Sequence, residues 1–167
     1  PGGKPTMSVM CFGFSNFADA SYACWEIHRR WSEKMKKRFG GTPNLRDFIV
    51  IPEGVFRSDL EIWEEISRTI IEAGYEGRAG LQMDVATDTY HNKEDDRYYG
   101  LFDRTSKTKE QLYDFYMRII RDYPFVIIAD FGNNDDLQLS DSLTQLFHII
   151  KVCRVLHIAN EQVCGGG

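Results

Sequence analysis

The sequence predicts an α/β fold built on a mainly parallel sheet. Two observations predict it: short apolar strands alternate with amphipathic helices along the chain, and acidic residues follow several of those strands. In parallel α/β folds the carboxyl ends of the strands are where chemistry is assembled. Alternating units of this kind wind either as an open sheet or as a closed barrel.

The first strand is expected over Thr6 to Phe14. Asn16 and Asp19 then form a box-like cap, and Phe17, Ala20, Cys24, Ile27, Trp31 and Met35 recur at helical spacing. Gly40-Gly41 ends that helix, and the apolar run Phe48 to Ile51, closed by Pro52, is the next strand. Ser58 and Glu61 suggest a capping box for a second helix, buried through Ile62, Ile66, Ile70 and Ala73 and closed by Gly74. Ala79 to Val85 is a third strand, and the polar stretch Asp88 to Lys107 a long loop with a hairpin. Thr108 and Gln111 box a third helix along Leu112, Phe115, Ile119 and Ile120. Phe125 to Ile128 is a buried strand, Leu139 to Ile150 a fourth helix and Lys151 to Ile158 the last strand. No linker divides the chain, so residues 1–163 are expected as one domain, followed by a glycine tail over 164–167.

Composition narrows the function classes. The hydrophobic fraction of 43% and aromatic fraction of 13% suit a folded chain rather than a disordered one. A net charge of −5 offers no basic stripe for nucleic acid, and the run Lys34, Lys36, Lys37 and Arg38 falls where a helix C-terminus favours cations. No apolar run approaches the ~20 residues of a membrane span, so neither nucleic acid nor membrane is an expected partner. Cys11, Cys24, Cys153 and Cys164 have no metal-knuckle or redox-motif spacing; reduced thiols in a cytoplasmic protein are the expectation. The chain starts at Pro1 and ends in three glycines, the expected look of a piece of something longer.

Three strand ends carry acids: Pro52-Glu53-Gly54, Met83-Asp84-Val85 and Ala129-Asp130-Phe131. Taken alone, these residues suit helix caps or loops as well as chemistry. Their flanking words go further. Ala73-Gly74-Tyr75 followed by Met83-Asp84-Val85-Ala86 resembles the enolase strand that delivers an aspartate to magnesium. Thr108 to Pro124 is similar to the enolase helix ending in Asp-Tyr-Pro, and it runs without a gap into a strand end and an acidic loop. Pro52-Glu53-Gly54-Val55-Phe56 resembles the family's Asp-Glu-Gly-Gly-Phe, while Asn16-Phe17 and Ala20 match the start of a family helix. Gly2 to Met7 is similar to the end of the mobile active-site loop. The words are collinear over nearly the whole chain.

The resemblance implies a partial (β/α) TIM-type barrel and, in its catalytic members, magnesium-dependent dehydration of 2-phosphoglycerate to phosphoenolpyruvate. A lysine there removes a proton, and the metal ions stabilise the doubly charged intermediate. Magnesium is held by carboxylates from successive strands, because a small hard cation demands oxygen ligands in near-octahedral array. Carried over by register, the first ligand falls on Asp84, the second on Ala129 and the third on Arg154. Shifting the last by one gives Cys153 or Val155, still without a carboxylate. A guanidinium at Arg154 would pair with Asp84 in place of an ion. Of the leaving-group glutamates, one matches Glu53; the other falls on Val9 or, ungapped, on Thr6. The family's lysines, and its phosphate-binding arginine and serine, would lie after the last strand, and its loop histidine before Pro1.

The remaining candidates have structural readings. His28, His91, His148 and His157 lack metal-ligand spacing, and the pairs Asp95-Asp96 and Asp135-Asp136 suit solvated loops better than a cation site. Trp25, Trp31 and Trp63 are expected in the core, although two lie at the edge of their helix stripes. The expected function is therefore that of a catalytically inactive enolase-like protein, serving a structural or adaptor role in a larger assembly, with no cofactor. Other protein chains would cover its open barrel edges and apolar inner face. The alternative is a divergent enolase seen as a fragment, magnesium-dependent, with a site remodelled around Asp84, Asp130 or Glu53.

Overall fold

The computed structural model describes residues 6–39, 44–45, 48–49, 51, 54–103 and 105–130, with the backbone alone at 44–45 and 48–49. Glu53, Arg154, the fourth helix, the last strand, the glycine tail, Cys153, Cys164, His148, His157 and Asp135-Asp136 lie outside them.

The elements run β1 (Thr6–Cys11), α1 (Phe17–Phe39), β2 (Asn44–Leu45), β3 (Phe48–Ile49), α2 (Asp59–Glu72) and β4 (Ala79–Asp84), then β5 (His91–Asn92), β6 (Arg97–Tyr98), α3 (Lys109–Asp122) and β7 (Phe125–Ala129). A 3-10 turn over Thr87–Tyr90 precedes β5. The main sheet has the order β1-β4-β7; β2 pairs with β3 and β5 with β6 as separate two-stranded hairpins.

The sheet is mixed rather than parallel. β4 and β7 are parallel, joined through the single helix α3, whereas β1 and β4 are antiparallel. One helix returns the chain to the same end of the sheet and so gives a parallel neighbour. Two helices and the short β2–β3 hairpin intervene between β1 and β4, and the chain re-enters the sheet reversed. The apolar run at Phe48 correspondingly pairs with Asn44–Leu45 instead of joining the main sheet. Among the described residues the barrel is not closed.

The helices cover one face of this sheet. Met7 and Val9 of β1 and Leu81, Met83 and Val85 in and after β4 point towards Ile27, Trp31 and Met35 of α1, Trp63, Ile66 and Ile70 of α2, and Phe115 and Ile119 of α3. Trp63 is fully buried and meets Phe102, Tyr123 and Phe125 edge-on at ring separations of 5.4, 5.8 and 5.2 Å. Edge-to-face contacts of this kind add attraction beyond burial. Trp31 is buried as expected, but Trp25 is 55% exposed, tilted against Tyr22 at a ring separation of 5.6 Å with the Arg29 guanidinium 5.8 Å from its ring. Trp25 stands outside the stripe of Ala23, Ile27, Trp31 and Met35 that faces the sheet, so α1 turns it to solvent. Phe17, the first residue of the expected stripe, is likewise exposed.

The helix starts match two of the three expected caps. Asn16 accepts from the Asp19 amide at 2.9 Å and donates to its carboxylate at 2.9 Å. Thr108 and Gln111 form a complete reciprocal box. Ser58 makes no side-chain cap bond; instead the Glu61 carboxylate accepts from the Arg57 amide at 3.3 Å.

Gly80 is required by packing. A Cβ there would lie 2.7 Å from the Pro124 carbonyl oxygen and 2.7 Å from a Val126 methyl. Here β7 bulges, shifting its register opposite Leu81 and Gln82, and Leu81 donates its amide to Pro124 at 2.8 Å. The bulge sets where the end of β7 falls against β4, and thereby which residue of β7 faces Asp84.

Candidate functional site

The sheet face that the described helices leave open contains the row the sequence points to. Directly opposite residues in paired strands project to the same face. Thr6 of β1 pairs with Asp84 of β4, and Asp84 pairs with Ala129 of β7. One row therefore reads hydroxyl, carboxylate, methyl. Behind it Ser8 pairs with Gln82 and bonds to its side-chain oxygen at 3.3 Å, while Ile127 pairs with Gln82 from the other side. Met10 and Ile127 are each 37% exposed. The described part of this face is thus mixed, with Thr6, Ser8, Gln82 and Asp84 between Met10 and Ile127, rather than the apolar inner face expected.

Two backbone turns end the parallel strands beside Asp84. Ala86 has φ of 52° and Asp130 φ of 50°, both left-handed and unfavourable for residues with a Cβ. A buried threonine holds both turns. Thr87 donates its amide to the Asp130 carbonyl oxygen at 3.0 Å and its hydroxyl to the same oxygen at 2.6 Å, and Val85 donates its amide to Ala129 at 3.0 Å. Because Thr87 has spent its one hydroxyl proton, the Tyr116 hydroxyl 3.1 Å away donates to it. Burial keeps that phenol proton on, well above the usual tyrosine range. Asp130 serves through its carbonyl, and the residue itself is exposed. Sequence reading missed Thr87 and Tyr116; a threonine just past a strand end, and a tyrosine on a helix's apolar side, were the signals available.

Within this row Asp84 is the one carboxylate. The neighbours that flank Asp84 across the sheet are a threonine and an alanine, and a methyl supplies no oxygen ligand. Among the described residues no three His, Cys, Asp or Glu side chains gather as a metal centre. Glu53 and Arg154 lie outside those residues; of the others the resemblance singles out, Asp84, Ala129 and Thr6 share one row, while Val9 packs against the core on the other face. His91 bonds to Asp96 at 2.8 Å and lies against Tyr98, closing the β5–β6 hairpin.

A second polar cluster, also unforeseen, lies where α2 starts. Buried Lys107 directs its ammonium at the Leu101 carbonyl oxygen at 3.2 Å, Asp103 at 2.6 Å and Thr105 at 3.1 Å, one partner for each hydrogen. Burial pushes the Asp103 carboxyl up, but the bonds from Lys107 and Thr105 outweigh it and hold the group below its ordinary value. Asp59, whose amide donates to Phe102 at 2.9 Å, is pushed up to about 6, first by burial and then by the Asp103 charge. These groups fasten the 101–105 loop to α2.

No described helix is long and apolar enough to cross a membrane. A family model described as "Enolase, C-terminal TIM barrel domain" matches residues 6–163. An enolase of Bifidobacterium animalis subsp. lactis is 30% identical over 125 residues, covering 71% of this chain and 27% of the relative. An enolase of Saccharolobus islandicus is 28% identical over 126 residues, covering 73% of this chain and 29% of the relative. The chain spans less than a third of the length of these curated relatives. With the barrel-domain match running over residues 6–163, this chain belongs to the enolase family.

Proposed function

We propose that this chain is a catalytically inactive member of its family, acting as a structural or adaptor part of a larger assembly in the cytoplasm. The observation that carries the proposal is the register of β4 against β7, which sets Ala129 beside Asp84. In the family's scheme both positions supply carboxylates to magnesium, and the doubly charged intermediate of 2-phosphoglycerate dehydration depends on that ion's charge. One carboxylate where that scheme has two offers the ion too few oxygen ligands and too little charge. Thr6, on the other flank, has no group that shuttles a proton at neutral pH.

The partner surface in this reading is the sheet face left open among the described residues, with Met10 and Ile127 exposed and β1 and β7 at the edges of the described sheet. Unpaired strand edges bind further backbone, so other protein chains are the partners proposed. Purified alone, the chain then dimerises or aggregates; a monodisperse, cooperatively melting monomer counts against the assembly role.

The test of inactivity is 2-phosphoglycerate turnover with excess magnesium, in the wild type and in an Ala129→Glu, Arg154→Asp double variant. No turnover by the wild type is the expected result. A wild-type rate near that of an ordinary enolase overturns the proposal.

A further inference from the structure

Cys11 and Cys24 are distant in the pattern of the sequence but adjacent in the fold. The core-facing row of β1 is Met7, Val9 and Cys11, and α1 packs over it. Cys24 on α1 places its Sγ 3.9 Å from the Val9 carbonyl oxygen, and the Cys11 and Cys24 thiols bond to one another. Both are free, and both are partly open to solvent. The Arg78 guanidinium lies close enough to act on Cys11 and is fixed by its bond to the Gly13 carbonyl oxygen at 3.1 Å. A disulfide needs sulfurs in contact on approaching backbones, and oxidation needs access to solvent.

We propose that Cys11 and Cys24 form an oxidisable dithiol, converted by a hydroperoxide to a disulfide that clamps α1 to β1. The roles of the two sulfurs differ. Burial, and then the Cys24 sulfur beside it, push the Cys11 thiol up to about 12, so Cys11 is assigned the later, resolving step, in which its proton is passed on. The Cys24 sulfur attacks the peroxide oxygen, the O–O bond breaks, the thiol proton goes to the departing oxygen, and Cys24 becomes a sulfenic acid as water or alcohol leaves. Cys11 sulfur then attacks the Cys24 sulfur; the S–O bond breaks, the Cys11 proton goes to the departing oxygen, and a second water is released. The two sulfurs give up the two electrons that reduce the peroxide.

The experiment treats the folded full chain with hydrogen peroxide, alkylates the remaining thiols, and maps the peptides without reduction. The expected product has lost the mass of two hydrogens, joins the Cys11 peptide to the Cys24 peptide, and reverts with dithiothreitol. In Cys11→Ser the linkage disappears and a sulfenic acid is trapped on Cys24. The oxidised wild type melts several degrees higher than the reduced form, because the clamp restricts the unfolded chain. Mapping of the wild type alone decides the matter if a variant does not fold. Both thiols still fully alkylated after peroxide, or linkage mainly to Cys153 or Cys164, overturns the proposal.

Discussion

Asp84 and Ala129 are paired residues at the ends of two parallel strands, projecting to the same open face of the sheet. Their pairing depends on the bulge at Val126, since one residue more or less in β7 would bring Ile128 or Asp130 opposite Asp84. The character of the row is therefore a consequence of backbone register as much as of residue identity, and register is open to test.

Gly80→Ala tests the close approach on which that register rests. The new methyl would meet the Pro124 carbonyl oxygen and Val126 at 2.7 Å. Overpacking of this sort costs typically 1–3 kcal/mol, about that much loss being expected in urea denaturation. A neutral result means that β7 does not bulge here.

Asp59 gives stability a pH dependence of a defined sign. Its ordinary value is 3.8 and its folded value about 6. The folded state therefore holds this proton more tightly, and the contribution is fully present below about 4 and lost as pH rises through 6. Asp59→Asn removes the dependence, stabilising the protein at pH 8 by on the order of 1–2 kcal/mol while changing little at pH 4. Denaturation midpoints across that range check it; an equal effect at both ends refutes it.

The two helix starts differ although both read as capping boxes. Thr108→Ala removes a made bond and is expected to cost about 1 kcal/mol. Ser58→Ala removes no side-chain bond and is expected to cost at most a few tenths. Paired thermal melts of the two variants separate them.

The left-handed Ala86 supplies a stabilising substitution. Glycine adopts φ of 52° without the Cβ penalty, so Ala86→Gly relieves strain that outweighs the added freedom of the unfolded chain. A rise in melting temperature is expected; a fall of several degrees means that the Thr87 bonds leave no strain there to relieve.

Helix faces and caps were legible because they are local: Leu112, Phe115, Ile119 and Ile120 repeat at helical spacing, and Thr108 sits three residues before Gln111. The antiparallel β1–β4 pairing was not legible, since strand direction depends on how many helices intervene in space. Asp84 and Ala129 were found through resemblance to enolases; composition alone does not single out an alanine. Thr87 and Lys107 escaped because their partners, Asp130 and Leu101, act through backbone carbonyls that any residue possesses. Trp25 is exposed because it stands outside the stripe of Ala23, Ile27, Trp31 and Met35 that α1 turns to the core.

In the proposed function Asp84 faces the methyl of Ala129 where the family's magnesium site has a second carboxylate. Calorimetric titration of magnesium into the full-length chain measures this directly, with Asp84→Asn as the control. The expected result is no saturable heat up to millimolar magnesium and no difference between the two proteins. Stoichiometric magnesium binding by the wild type that disappears in Asp84→Asn would contradict it.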